Sequence, residues 1–317
     1  MSRYGITLPL DGVSLPDHGE LVRELADLGY TDVWSSETDG TDAFTPLAVT
    51  ACWAPAVRLG TAIASAFTRG PALLAMTVAA MAELAPGRFA IGIGASSDVI
   101  VEQWNGIRFT DPYRRVRDVL RFLRVALTGE KVDFVSHSFV VKGFRLGRPP
   151  AIPPPILVAA LRPRMVRLGG EEGDGIIINW LATEDVPRVV AQVPEGTEVV
   201  ARLFVCPTED REVVRRVGRF TINTYLNVPV YASFHRWLGR GPLLEPMWNA
   251  WQSGDRQAAL EAVPDEVLDA LVIHGSSGSC RQQVQQYMTA GVTTPLLHVL
   301  PFDGDPRQAV RDLAVQG

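Results

Sequence analysis

Glu37 is the single carboxylate among the residues that close the chain's apolar segments, if those segments are read as strands. Taken in order, the segment ends are Leu8-Pro9, Ser36-Glu37, Ile63-Ala64-Ser65, Gly94-Ala95-Ser96-Ser97, Ala159-Ala160 and Asn179. Residues this small let a flat ring approach the backbone closely. No histidine, Ser–His or Cys–His set stands among them, which argues against hydrolysis and leaves the chemistry to a bound cofactor. Buried beside an apolar ring, Glu37 could hold and move a proton. The competing reading is a carboxylate paired with an arginine such as Arg69.

The rest of the chemical inventory is thin. Cys52, Cys206 and Cys280 are far apart and form no CxxC pair, which fits a reduced cytoplasmic protein. The five histidines show no HExxH or other metal-ligand spacing, so no metal is expected. A net charge of −5 gives no electrostatic case for nucleic acid or an anionic membrane. The first ten residues lack a basic and then apolar leader pattern, and no apolar run is long enough to span a bilayer. The expected partners are a small-molecule substrate and a second copy of the chain.

The elements that must position these residues follow from alternating patterns. Tyr4–Leu8, Asp32–Ser35, Arg58–Ser65, Arg88–Gly94, Pro155–Ala160, Gly175–Asn179, Val199–Val205 and Leu296–Leu300 read as eight strands. Helical segments stand between them: Pro16 to Gly29, Phe44–Trp53, Pro71–Leu84, Ser97–Trp104, Pro112–Leu127, Arg162–Glu172, Ser279–Ala290 and Asp305–Val315. Val132–Val141 reads as a hairpin outside this alternation. Strand, helix, strand in this order means parallel pairing with helices outside, and the near-continuous apolar strands are those of a sheet buried on both faces. The expectation is one α/β domain over residues 1–317, a (β/α)₈ TIM barrel with its site at the C-terminal strand ends. A helical insertion at about 209–274 interrupts it. An open doubly wound sheet is the alternative, although the GIGAS turn follows the fourth strand and not the first.

The phrases DVWSSETDGTDAFTPLA (Asp32–Ala48), RLGTAIASAFTRGPALLAM (Arg58–Met76), GRFAIGIGASSDVIVEQWNG (Gly87–Gly106), PILVAALRPRMVRLGGEEGDGIIIN (Pro155–Asn179) and AGVTTPLL (Ala290–Leu297) carry a resemblance. The chain resembles the luciferase-like monooxygenase superfamily, bacterial luciferase-like in fold, and within it the coenzyme F420-dependent oxidoreductase branch. The resemblance is weakest over Glu209–Leu271. It implies the barrel, a flavin-type cofactor at its mouth, and hydride transfer between the deazaflavin F420 and a small organic substrate.

Site residues follow from the resemblance position by position. A non-prolyl cis peptide supporting the cofactor ring is implied at Ala62–Ile63. Gly94, Ala95, Ser96 and Ser97 are implied as contacts to the cofactor; read alone, they form a tight turn with Ser96 or Ser97 capping the next helix. Ala159, Ala160, Leu161, Arg162 and Pro163 join a strand end to a helix start, whose free amides and arginine suit the acidic tail of F420. Glu37 stands where related enzymes place a histidine or an acid, and is assigned the catalytic role. Trp104, Asn105 and Asn179 are assigned to the substrate pocket; relatives often have histidine where this chain has Asn105. Tyr225, Tyr231, Phe234, Trp237, Trp248 and Trp251 cap the pocket, form a dimer surface or pack helices. Two other functions fit the same resemblance: an FMN-dependent two-component monooxygenase, and a non-catalytic flavin-binding paralogue.

Overall fold

A computed structural model describes residues 3–315. Its strands are β1 Gly5–Thr7, β2 Asp32–Ser35, β3 Arg58–Thr61, β4 Ala64–Ser65, β5 Phe89–Gly94, β6 Lys131–Val135, β7 Val140–Arg145, β8 Ile156–Ala159, β9 Gly175–Asn179, β10 Glu198–Cys206, β11 Val272–His274 and β12 Thr294–Val299. All pairs in the main sheet are parallel, in the order β10, β12, β1, β2, β3, β5, β8, β9, and β9 pairs back onto β10. The sheet therefore closes into a barrel, and the open-sheet alternative falls. β4 adds to β5, β11 adds to β10, and β6–β7 form a separate antiparallel hairpin.

The barrel interior is layered. At the N-terminal end a polar plug joins Arg58 to Glu198 at 2.5 Å and to Asp32 at 3.5 Å, and Trp34 Nε1 donates to Asp32 at 3.2 Å. Above it lie Trp34, Ala90, Leu157, Ile177, Val200 and Leu296, with Ile63 packed against them. Two glycines make room for this layer. A Cβ on Gly60 would sit 2.5 Å from the Trp34 ring, and one on Gly92 would sit 2.0 Å from the Thr61 carbonyl oxygen. The alternation that points these side chains inward carries the next inward positions to the C-terminal mouth.

The helices are α1 Gly19–Glu24, α2 Thr45–Trp53, α3 Pro71–Leu84, α4 Pro112–Ala126, α5 Pro163–Glu171, α6 Val186–Val190, α7 Arg211–Leu226, α8 Pro229–Leu238, α9 Gly241–Gln252, α10 Arg256–Glu261, α11 Asp265–Leu271, α12 Ser277–Thr289 and α13 Pro306–Asp312. None among the described residues is long and apolar enough to cross a membrane. After β10 the chain forms α7 to α11, which build a second core, including Ile222, Leu226, Leu244, Trp248 and Leu268, onto Phe204 of β10.

Four local expectations need correcting. The first helix stops early: a 3-10 turn at Leu15–His18 leads into α1, and the chain turns off through Gly29 at φ 86°. The third strand is not continuous but divides at Ala62–Ile63, where the peptide is cis. Val99–Trp104 winds as a π-helical turn, not an α-helix. The hairpin runs on to Arg145.

Candidate active site

One wall of the mouth is built from the ends of β3, β5 and β8. Where the β3–β5 ladder breaks, the Thr61 hydroxyl takes its place, accepting from Gly92 N at 2.9 Å and donating to Gly92 O at 2.8 Å. The displaced segment is held from both sides: Ala62 N donates to Ser35 O at 2.6 Å, and Glu37 N to Ile63 O at 3.3 Å. Gly94 lies beside this segment. A Cβ there would come within 3.0 Å of both Ala159 Cβ and Ile63 Cγ1, so Ile63, Gly94 and Ala159 pack into one apolar face. Beyond it the chain turns at Ser96, φ 64°, and the Ser97 hydroxyl accepts from Ile100 N at 3.3 Å, capping the π-helical turn. Ala95, Ser96 and Ser97 remain half-buried at the edge of the face.

Glu37 is placed at this wall, and its carboxylate is fully engaged. Oε2 accepts from Ser65 N at 3.1 Å; Oε1 accepts from Ala43 N at 3.3 Å and pairs with Arg69 Nη1. The side chains of Glu37 and Arg69 are 14% and 18% exposed. Arg69 in turn lies over the Phe44 ring at 4.8 Å. This is the arginine-paired arrangement, in which the carboxylate ties the end of β2 to β4.

Ala159 and Ala160 lead from β8 into α5, with Ala160 N donating to Ile177 O at 2.9 Å. Arg162 is the N-cap of α5 in extended conformation, Pro163 opens the helix, and the first turn has no acidic residue. Arg162 is exposed, while Arg164 is occupied over the Tyr113 ring at 3.7 Å. The start of α5 thus sets an exposed cation directly beside that face; Pro163 has no N–H, and Met165 N and Val166 N both donate to Arg162 O. Trp104 and Asn105 end the π-helical turn that follows β5. Trp104 is 55% exposed, and the Asn105 amide is spent on Ile100 O at 2.7 Å.

The opposite wall holds groups that strand-end reading missed. Arg202 lies in the middle of β10, paired in register with Asn179 of β9. His298 lies on β12, paired with Phe204. Arg202 Nη2 donates to the His298 ring, 3.0 Å from Nδ1 and 3.3 Å from Nε2. Burial and the Arg202 charge hold the His298 pKa well below the usual histidine range, so the ring is neutral. Asn179 Nδ2 donates to the Tyr231 hydroxyl at 3.1 Å, and burial pushes that phenol up to about 12. Trp180 stacks on Phe204 at 3.9 Å, and Tyr225 leans on both. Of the aromatic residues between β10 and β11, Tyr225 and Tyr231 meet Trp180, Phe204 and Asn179, Phe234 joins the main barrel core with Trp237 packed against it, and Trp248 packs among α7 to α11. The signal for Arg202 and His298 was present in the sequence as one polar side chain inside each of the apolar runs VVARLFV and LLHVL.

The family model described as luciferase-like monooxygenase matches residues 3–294. A Mycobacterium tuberculosis protein named as a coenzyme F420-dependent oxidoreductase is 27% identical, over 98% of this chain and 98% of its own. Among solved structures, the coenzyme F420-dependent tetrahydromethanopterin reductase from Methanopyrus kandleri superimposes with a TM-score of 0.79 at 19% identity, covering 98% of this chain and 97% of that one. The oxygenating constituent of 3,6-diketocamphane monooxygenase from Pseudomonas putida, solved with FMN, has a TM-score of 0.70 at 16% identity, covering 99% and 97%.

Proposed function

Because the chain belongs to the luciferase-like monooxygenase family, we propose that it is a coenzyme F420-dependent oxidoreductase acting on a small organic substrate. The observation that carries this reading is the apolar face of Ile63, Gly94 and Ala159 set directly against the cationic, acid-free start of α5. A flat ring with a long acidic tail needs both features side by side. The relative matched over 98% of both chains is named for the same coenzyme.

Ala62, Ile63, Gly94 and Ala159 would hold the ring, with Ala95, Ser96 and Ser97 at its polar edge. Ala160, Leu161, Arg162 and Pro163 would hold the tail. When bound, the deazaflavin supplies the hydride-transfer chemistry. Every other task falls to the chain. Glu37, clamped by Arg69, fixes the Ala62–Ser65 segment and acts as a positioning residue. Asn179 and the neutral His298 present hydrogen-bonding edges from the far wall. The insertion's Tyr225 and Tyr231 roof that wall and keep water from it. We also place the protein in the cytoplasm as a homodimer. In support, Cys206 and Cys280 are buried free thiols, and Leu73, Met76 and Leu84 form an exposed apolar stripe along α3.

Filling the face tests the reading. Ala159→Leu puts a branched side chain against Ile63 and Gly94 at a half-buried position where the fold tolerates it. F420 binding, followed by the coenzyme's own fluorescence, should weaken at least about tenfold with an unchanged circular dichroism spectrum. Undiminished binding would place the coenzyme elsewhere.

A further inference from the structure

Arg202 is 8% exposed in the centre of a barrel strand. A guanidinium taken out of water is expensive to bury unless an anion accompanies it. The chain's other deeply buried arginines obey that rule. Arg58 holds Glu198 at 2.5 Å, and Arg240 holds Asp185 at 2.6 Å and Glu184 at 2.8 Å, each arginine side chain being 10% exposed. Arg202 does not. Among the described residues no carboxylate comes within ion-pair distance of it, and its Nε has no hydrogen-bond partner. Asp11 feels its charge only from farther off. The neighbours it does have are the neutral His298 ring and the face of Phe204, 5.2 Å from its guanidinium carbon. On β1, two strands away, Thr7 Oγ1 is buried and also lacks a partner.

Position gives this unpaired cation a meaning. Around the barrel, β10 is separated from β3 by β12, β1 and β2 on one side and by β9, β8 and β5 on the other. Arg202 therefore faces the mouth from directly across the wall of Ala62, Ile63 and Gly94. Whatever sits against this wall meets the fixed positive charge of Arg202, with the Asp11 carboxyl farther off. A planar guanidinium with a free edge matches a carboxylate, which it can grip through two parallel N–H bonds. One cation beside a neutral histidine balances one negative charge, which suits a carboxylate better than a phosphate dianion.

We propose that Arg202 is the anchor of a carboxylate subsite in the barrel mouth, so that the substrate is a small organic acid. The proposal rests on the F420 reading for the word substrate, but the subsite itself stands on Arg202 alone. Isothermal calorimetry at fixed ionic strength tests it with propionate against its neutral isostere propionamide, on protein with and without F420. Propionate should bind at least about tenfold more tightly, as expected for loss of a charge-assisted contact. Arg202→Gln should erase the difference, and Arg202→Lys should keep part of it. Arg202→Met should unfold at the same or higher denaturant concentration than the parent, because it removes an uncompensated buried charge. A merely structural arginine would do the reverse.

Equal binding of acid and amide, no binding of either, or discrimination that survives Arg202→Gln would overturn the proposal. Inorganic phosphate binding more tightly than propionate would overturn its assignment to a carboxylate. F420 fluorescence read in the same samples keeps the two claims apart. A protein that ignores F420 yet still prefers propionate loses the coenzyme reading and keeps the subsite.

Discussion

The clamp between Glu37 and Arg69 yields the sharpest energetic prediction. The Glu37 carboxylate accepts from Ala43 N and Ser65 N and pairs with Arg69, and both side chains are more than four-fifths shielded from water. Exposed ion pairs contribute about 0–1 kcal/mol, whereas shielded charge-assisted hydrogen bonds contribute about 1.5–3 kcal/mol. Glu37→Gln keeps an acceptor for one amide and loses the charge, so it should destabilise by about 2 kcal/mol. Arg69→Met strands the carboxylate and should cost a similar amount. The double variant removes both charges together, so its loss should fall short of the sum by about 1.5 kcal/mol. Guanidinium unfolding of the four proteins, with m-values checked for constancy, reads this coupling. A coupling below about 0.5 kcal/mol would refute the clamp. The same variants separate anchor from catalyst. Loss of a general acid–base group lowers turnover about 10²–10⁴-fold. Folded Glu37→Gln should stay within about tenfold of the parent once a substrate is found.

Four further outcomes follow from the geometry. His235 is pushed down to about 3 by burial and by the Arg240 charge, so it stays neutral when folded but titrates near 6.5 when unfolded. The unfolded chain binds the extra proton, and stability should therefore fall as pH drops from about 6.5 to about 3; His235→Phe should flatten that part of the denaturation profile. Cys206 and Cys280 are pushed by burial up to about 11 and about 12, while Cys52 is exposed, so iodoacetamide at pH 8 should modify Cys52 alone in the native protein, as peptide mass analysis would show. Arg162→Ala should weaken F420 binding about tenfold or more at low salt, with a smaller effect at high salt, because the side chain is exposed. Met76→Arg, in the middle of the apolar stripe of α3, should convert a dimer to a monomer in sedimentation velocity; a parent protein already monomeric would remove that role from the stripe.

The sequence was most informative where one physical cause acted alone. Runs such as RFAIGIG and GIIIN are too apolar to face water on either side, and their alternation with helices forces parallel pairing. The barrel was legible for that reason. The division of the third strand at Ala62–Ile63 was not legible from propensity, since RLGTAIAS reads as an unbroken strand; the family resemblance alone pointed to it. Glu37 showed its type and its strand-end position, but the choice between a free acid and a clamped one depends on where Arg69 folds back, 32 residues later. Arg202 and His298 lie inside β10 and β12, not at the strand ends that mark the barrel mouth in the sequence. A lone charge in an apolar barrel strand has nowhere to go except inward to the mouth or out among the helices, and only the register of β9, β10 and β12 decides which. The π-helical winding that leaves Trp104 half in solvent was not legible from its sequence, which reads as an ordinary helix.

The central claim, that this barrel mouth is built for a deazaflavin, is tested most directly by equilibrium titration of the purified protein with F420 and with FMN, each followed by its own fluorescence. The account predicts saturable one-to-one binding of F420 and at least about tenfold weaker binding of FMN, whose single phosphate engages less of the α5 start. Micromolar FMN binding with no detectable binding of F420 would contradict it.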